Sequence, residues 1–459
     1  VRLTTLATIG LLGVAGNPGH LASKQLQDSV TARPERSYPA GRLRRFFLGN
    51  LNRRLWELPV RLPVLNLAEA GGGLEPIRII GGKQTVGLRL LGRDGLEYDF
   101  RPIVKHPAAV LPGWMRKGLV SDILDDQMAA QFPFGAIIVA ELEDAAGINA
   151  PRPVAVVMPD DARLGGFRSM FAGRLGLLAV NANERTGNQP GYGGYTEIAN
   201  SDTVYHRILT DPESGFDDES FLRIRLIDML VGDWDRHSGQ WRWGRDQVGA
   251  ETRWRPIPRD RDWAFARIDG VVGAIAQWVQ PSYVGFSERP PPVKRLAISG
   301  DRVDHAVLNR LDRDGFARTA RDLQARLTDS VIARAVAALP REYLPLERER
   351  LITALKARRD QLPRYSDEYY RLLAREIRIT GIIGRIDVVE FIRISDQQVQ
   401  IRIKTGVTDG PTRYQRLIDA RETQGVKLFI DPGDQLIGAD HLPFKLTISR
   451  DSSAIGGSP

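Results

Sequence analysis

Apolar and polar positions settle into a clear pattern from Ala70, where AGGGLEPIRIIGGKQTVGLRLLGRDGLEYDFRPIVKH alternates between glycine turns, the period of antiparallel strands. Arg93-Asp94-Gly95 supplies a hairpin turn within it. From Val120 to Gly147 the period becomes helical, with a break at Pro133 and a glycine cap at the end. Pro153 to Pro159 is a short apolar strand, Asp160-Asp161 opens a loop, and Asn181 to Tyr195 has the composition of an insertion. Asp217 to Val231 predicts a helix with Asp217 or Asp218 near its start and Phe221, Ile224, Ile227 and Leu230 on its apolar face. Ala306 to Leu339 and Leu346 to Glu376 are also helical, punctuated by Pro340 and Pro345. Beyond Ile377 the period returns to two, and strands such as VVEFIRI and VQIRIKTGV are separated by turn dipeptides, which marks a small all-β unit. Ser29 to Asn66, rich in Arg, Pro and turn formers, reads as an irregular arm packed on a core.

Composition narrows the chemistry. A chain of 459 residues, 42% hydrophobic, can bury several cores and suggests two to four domains. The absence of cysteine excludes disulfides, thiolate catalysis and Cys-ligated zinc, and six histidines restrict metal sites further. A net charge of +8 favours anionic company such as nucleotide phosphates or lipid head groups, although scattered arginines on a solvated surface account for much of it. With no RNP-type aromatic motif and no zinc-finger spacing, nucleic acid is a minor option. The opening VRLTTLATIGLLGVAGNPGHLAS is compatible with a signal peptide or a plain N-terminal helix. No stretch provides the roughly 20 apolar residues of a membrane span.

The most chemically loaded segments are LIDMLVGDWDRHSGQWRW, Leu226 to Trp243, and PIPRDRDWAF, Pro256 to Phe265. Phosphoryl transfer needs a carboxylate to orient the acceptor, a nearby amide or carboxylate to hold metal, and a second carboxylate for Mg²⁺ at a strand end. Asp235 is placed for the first role, flanked by Arg236 and His237, and Gln240 follows it at the offset of the metal-holding Asn in the kinase H-R-D-x-x-x-x-N loop. Asp260 and Asp262 lie just past the strand RWRPIP, where Asp-x-Asp can aim both carboxylates to one side. Such carboxylates suit Mg²⁺ or Mn²⁺ rather than zinc. The same residues also admit a plainer role, an ion cluster at a helix end and a surface turn. Trp234, Trp241 and Trp243 nearby argue for a packed, water-poor setting instead.

The run G-D-W-D-R-H-x-x-Q resembles the G-N-x-D-R-H-x-x-N/E signature of HipA-type and secretory-pathway kinases, and PRDRDWAF resembles the P-W-D-x-D segment of CotH-type spore-coat kinases. From about Tyr38 the chain resembles the kinase-like module of bacterial surface-antigen and metallophosphoesterase-associated outer-membrane proteins. YPAGRLRRFFLGNLNRRLW, GGLEPIRIIGGKQTVGLRL, YDFRPIVKHP and VVMPDDARLGGFRSMFAG carry that likeness. The resemblance implies an α+β chain with a bilobal atypical protein-kinase-like fold and a small C-terminal all-β domain. Residues 1–28 would be a signal peptide or helix, 29–150 the arm and a β-rich N-lobe, 151–376 the C-lobe and 377–459 the β domain. It also implies ATP and Mg²⁺ (or Mn²⁺) in a cleft between lobes. Gly81 and Gly82 would lie in a turn near the phosphates, Arg101 and Lys105 would reach them, Asp126 or Glu141 would pair with Lys105, and Met158 would begin the hinge that reads adenine.

Asp233 stands where the signature has Asn, and Gln240 where it has Asn or Glu, so nucleotide binding without turnover, a pseudokinase, is also open. The implied setting is exported, in the periplasm or at the outer membrane, with a protein or envelope acceptor; a cytoplasmic setting is the alternative. Competing functions are a non-catalytic envelope scaffold and a metal-dependent phosphohydrolase, the latter short of histidines.

Overall fold

Alternating apolar residues build the first sheet. A computed structural model of the chain describes residues 26–34, 38–81, 86–104, 118–186, 191–249, 251–381, 386–406 and 410–449. Strands β1 (Leu26–Ala32) and β2 (Val60–Leu65) pair antiparallel, with helices α1 (Arg42–Leu48) and α2 (Arg53–Glu57) between them in sequence. β3 (Leu74–Ile80), β4 (Gly87–Gly92) and β5 (Glu97–Pro102) form an antiparallel meander whose second turn falls on Arg93-Asp94-Gly95. Helices α3 (Leu119–Gln127) and α4 (Gly135–Ala145) follow, then β6 (Val154–Val157), the short α5 (Arg168–Phe171) and β7 (Leu175–Val180). These strands make one seven-stranded sheet in the order β1-β2-β6-β7-β5-β4-β3. The Ser29 to Asn66 segment, expected as an irregular arm, therefore contributes two strands of it. Its prolines and arginines hid the short run in which Val60, Leu62 and Leu65 turn to the core.

A second, five-stranded sheet comprises β8 (Arg185–Thr186), β9 (Glu197–Asn200), β10 (Ser214–Phe216), β11 (Trp241–Val248) and β12 (Glu251–Pro258), in the order β10-β12-β11-β9-β8. Between its strands in sequence run α6 (Ser201–Thr210) and α7 (Asp218–Val231). α7 begins where Asp217 accepts a hydrogen bond from the Ser220 amide, filling one of the orphan donors of a helix start. It ends at Gly232, whose φ of 75° an L side chain rarely adopts. Trp241, Trp243 and Trp254 of the sheet are fully buried beneath α7 and its neighbours.

A helical stretch completes this core: α8 (Gly270–Val279), α9 (Val293–Ala297), α10 (Asp301–Val307), α11 (Arg313–Arg326), α12 (Asp329–Ala337), α13 (Leu344–Asp360) and α14 (Leu362–Ala374). The helical run expected over Ala306 to Leu339 is divided because Asp312 and Thr328 each cap a new helix, accepting from the Gly315 and Val331 amides. The last strands are β13 (Glu376–Thr380), β14 (Asp387–Arg393), β15 (Gln398–Thr405), β16 (Thr412–Asp419), β17 (Gly425–Phe429), β18 (Gln435–Ile437) and β19 (Lys445–Ser449). They form a parallel sheet β13-β17-β19 and a mixed sheet β16-β15-β14-β18 around their own core of Ile377, Val389, Ile401 and Leu428. The chain is thus a mixed α/β protein with several sheets. No helix among the described residues is long and apolar enough to cross a membrane.

Candidate functional site

Where β12 ends at Pro258, the chain turns into a hollow of about 150 Å³. Arg259, Asp260, Arg261 and Asp262 all line it, opposite Asp99 and Arg101 of β5 and Glu143 of α4. In a regular strand consecutive side chains would alternate faces. Asp260 interrupts that alternation with a φ of 54°, a left-handed conformation in which Asp is several-fold enriched. The Asp262 amide donates to Asp260 Oδ1 at 3.3 Å, and Arg101 Nη1 lies 3.9 Å from Asp260 Oδ2. A basic side chain of the first sheet and a carboxylate of the second thus face each other across the hollow.

Behind that wall is a buried ion network. Asp228, on the last turn of α7, meets Arg225, Arg236 and Arg261, all of them buried. Arg261 also bonds Glu143. Arg236 donates to the backbone carbonyls of Arg259 at 2.8 Å and Asp260 at 2.9 Å and stacks over Trp241 at 4.6 Å. The Arg259 amide in turn donates to the Gln240 carbonyl at 2.9 Å. The DWDRH loop and the RDRD loop, distant in sequence, are consequently one mechanical unit.

Burial dominates the electrostatics. It raises the Glu143 carboxyl above its ordinary value against the pull of Arg261. It raises Asp233 to about 7, with Asp228 and Asp235 adding repulsion that Arg236 and Arg261 only partly offset. At Asp228 burial acts in the same upward sense, but Arg236, Arg261 and Arg225 outweigh it and the carboxylate is held below its ordinary value. Desolvation, with Arg242 and Arg101 close by, lowers Arg259 to about 10. The nearby carboxylates of Asp99 and Asp260 offset that only in part. A bound anion would relieve that unfavourable placement.

Several expected site residues lie elsewhere. Asp235 is partly exposed, its amide donating to Asp233 Oδ1 at 3.4 Å and its carboxylate 3.9 Å from His237 Nε2; it is on the loop that Arg236 fastens but does not line the hollow. His237 is more exposed still, and the Gln240 side chain turns to His237 at 3.4 Å instead of joining Asp260 and Asp262. Arg236, expected beside the reacting groups, is fully buried, its Nη1 committed to backbone carbonyls and its Nε facing Asp228, so it positions the two loops. Asp126 is not part of the lining; Arg53 bonds both of its oxygens at 2.7 and 2.6 Å and Arg44 adds a third bond. Glu141 turns the other way on α4 and pairs with Arg152. Met158 is buried in the first-sheet core, its amide and carbonyl paired with Arg174 and Gly173, so its backbone is not free to read a base. Gly81, at a φ of 109°, follows β3 and is not part of the lining. Gly82 and Lys105 lie outside the described residues.

Reasoning from sequence missed Glu143, Arg259 and Arg261. The signal for Glu143 was present: Val139, Leu142, Glu143 and Ala146 follow helical spacing on the buried stripe, two residues and about half a turn from Glu141. Among the described residues no three acidic or histidine side chains converge as a ready-made metal cage. Mg²⁺ does not require one, since it is held through one or two carboxylates together with substrate phosphates. Asp260 and Asp262, with Arg259 next to them and Arg101 facing them, fit that donor set.

No protein-family model matches the sequence, and no curated protein matches it. Among solved structures, similar chains include the Helicobacter pylori proinflammatory kinase CtkA, at 10% identity over 65% of this chain and 95% of that one, TM-score 0.35. HipA of Shewanella oneidensis, from a toxin–antitoxin complex with HipB and operator DNA, is 12% identical over 64% of this chain and 67% of its own, TM-score 0.32. The Rio2 kinase of Chaetomium thermophilum, in an ADP/Mg²⁺-phosphoaspartate complex, is 13% identical over 55% and 70%, TM-score 0.25. At these scores the likenesses are partial, and the chemistry of the hollow rests on its own residues.

Proposed function

We propose that this chain is an atypical kinase-like protein with a bilobal arrangement, whose hollow receives the phosphates of ATP together with Mg²⁺ or Mn²⁺. The observation that carries the reading is the lining itself: Arg101 and Arg259 for phosphate oxygens, and Asp260 and Asp262 for a divalent cation. Mg²⁺ would supply neutralisation of phosphate charge there. At about 150 Å³ the hollow is below the usual 300–1,000 Å³ of small-molecule pockets, so it suits the phosphate tail, with the nucleoside outside it. In transfer, an acceptor hydroxyl oxygen bonds to the terminal phosphorus while the bond to the bridging oxygen breaks, ADP departs, and the acceptor proton passes to Asp235. Because Asp235 stands outside the lining and Asp233 and Gln240 depart from the kinase signature, nucleotide binding is the primary claim and transfer the secondary one.

A scaffold module of the cell envelope is the second reading. It is favoured by an apolar patch on two helices, where Leu43 and Phe46 of α1 are 73% and 65% exposed and Trp278 and Val279 of α8 are 83% and 70% exposed. Thermal unfolding with ATP separates the two. The kinase-like reading expects Mg²⁺-dependent stabilisation, about 2.7 kcal/mol at a hundred times the dissociation constant, that disappears in Asp260→Ala plus Asp262→Ala. No shift in the parent chain would favour the scaffold.

A further inference from the structure

A larger cavity lies away from the hollow just described, where the C-terminal strands meet α6, α7 and α10. Its volume is about 340 Å³, within the range of sites that enclose small molecules. The two walls are fixed to each other: Asn309 Nδ2 donates to the Arg378 carbonyl at 3.1 Å, Arg310 Nη2 to the Arg413 carbonyl at 3.1 Å, and the Tyr414 hydroxyl to the Asn309 carbonyl at 3.0 Å. The cavity is therefore a built feature of the junction.

Its lining is asymmetric in charge. Arg302, Arg310, Arg378, Arg413 and Lys427 border it, against the single carboxylate of Asp218. Some of these cations are held from behind: Arg378 pairs with Asp301 and Glu376, Lys427 with Glu376, and Arg302 with Asp202. Those carboxylates stand outside the lining and act as struts that orient the cations. Arg310 is attracted by Asp218, the one carboxylate of the lining. Tyr205 makes a second, independent observation. It lines the cavity and is 8% exposed, and its hydroxyl is buried without a hydrogen-bond partner among the described residues. A buried hydroxyl left unmatched is unfavourable, and Tyr205 remains a neutral donor because burial raises its pKa. Between these polar groups, Ile208, Phe216, Ile403 and Phe429 give the lining an apolar share, Phe216 lying edge-on to Tyr205.

We propose that this cavity is a second ligand site, for a small molecule that carries a phosphate group on an apolar or aromatic body. The phosphate would sit among Arg310 and its basic neighbours, Tyr205 turning its closed-off hydroxyl to donate to it, and the body would lie against the apolar side chains. Cations in excess with an uncommitted donor match the many acceptor oxygens of a phosphate better than the two of a carboxylate. The proposal is independent of nucleotide binding in the first hollow.

The test is calorimetric titration of the full chain with inorganic phosphate, AMP and dihexanoyl phosphatidic acid. A nucleotide source predicts AMP binding and a lipid source phosphatidic acid binding, in either case tighter than inorganic phosphate by at least about tenfold, because the apolar body adds buried area. Arg310→Gln should weaken the tighter ligand by about ten- to a hundredfold, the usual weight of a charge-assisted hydrogen bond. If that variant fails to fold, Leu209→Trp, which fills the cavity from α6, serves instead and should block binding. Arg259→Ala, in the first hollow, should leave it unchanged. Absence of binding by all three probes overturns the proposal. So does binding insensitive to Arg310→Gln or Leu209→Trp, or binding lost in Arg259→Ala.

Discussion

The hollow beneath β12 and the cavity beside the C-terminal strands both mix charge with apolar walls, yet they organise charge in opposite ways. In the first, Glu143, Asp228 and Asp233 interlock with Arg225, Arg236 and Arg261 in full burial, and only about 150 Å³ is left open. In the second, about 340 Å³ is open, cations face the space and their carboxylate struts stand behind. Buried ion pairs roughly break even against their desolvation, so the first network gains geometry more than stability. It fixes where Arg259, Asp260 and Asp262 stand. The second arrangement gathers cations in excess of carboxylates around an open space and is suited to holding an anion.

That difference is testable. The largest effect is expected from Arg261→Met, which strips Glu143, Asp228 and Asp233 of a shared buried partner. Destabilisation of about 3–5 kcal/mol by denaturant unfolding is expected, the cost of leaving buried charge uncompensated. A loss under 1 kcal/mol would mean that the network does not organise this wall. A smaller effect concerns pH. Asp233 is raised in the folded state to about 7, so the folded protein binds its proton more tightly than the unfolded chain does. Its stabilising contribution is therefore complete below about pH 4 and is lost as pH rises through 7. Relative to the parent, Asp233→Asn should gain stability at pH 8 and show no gain at pH 4. An equal difference at both values would place the titration elsewhere.

Local chemistry was legible in the sequence and partner choice was not. The extent of α7, its Asp217 cap, the hairpin at Arg93-Asp94-Gly95 and the return of strands near residue 377 all follow from short-range patterns. The parallel pairing of β13, β17 and β19 does not, because their turns look like hairpin turns while their hydrogen bonds are made to distant strands. Asp126 illustrates the same limit. Nothing near it announces that Arg53, far earlier in the chain, claims both of its oxygens. Arg259 and Arg261 escape an Asp-x-Asp reading because it treats the arginine before the pair and the one between as spacers. The left-handed Asp260 brings both kinds of side chain to one hollow.

Titration calorimetry of ATP into the parent chain and into Arg259→Ala, each with and without Mg²⁺, is the most direct measure of whether that hollow recognises phosphate. Saturable binding that needs Mg²⁺ and weakens at least about tenfold in the variant is the expected result, the scale of one charge-assisted contact. Binding of equal strength in both proteins, or none in the parent, would contradict it.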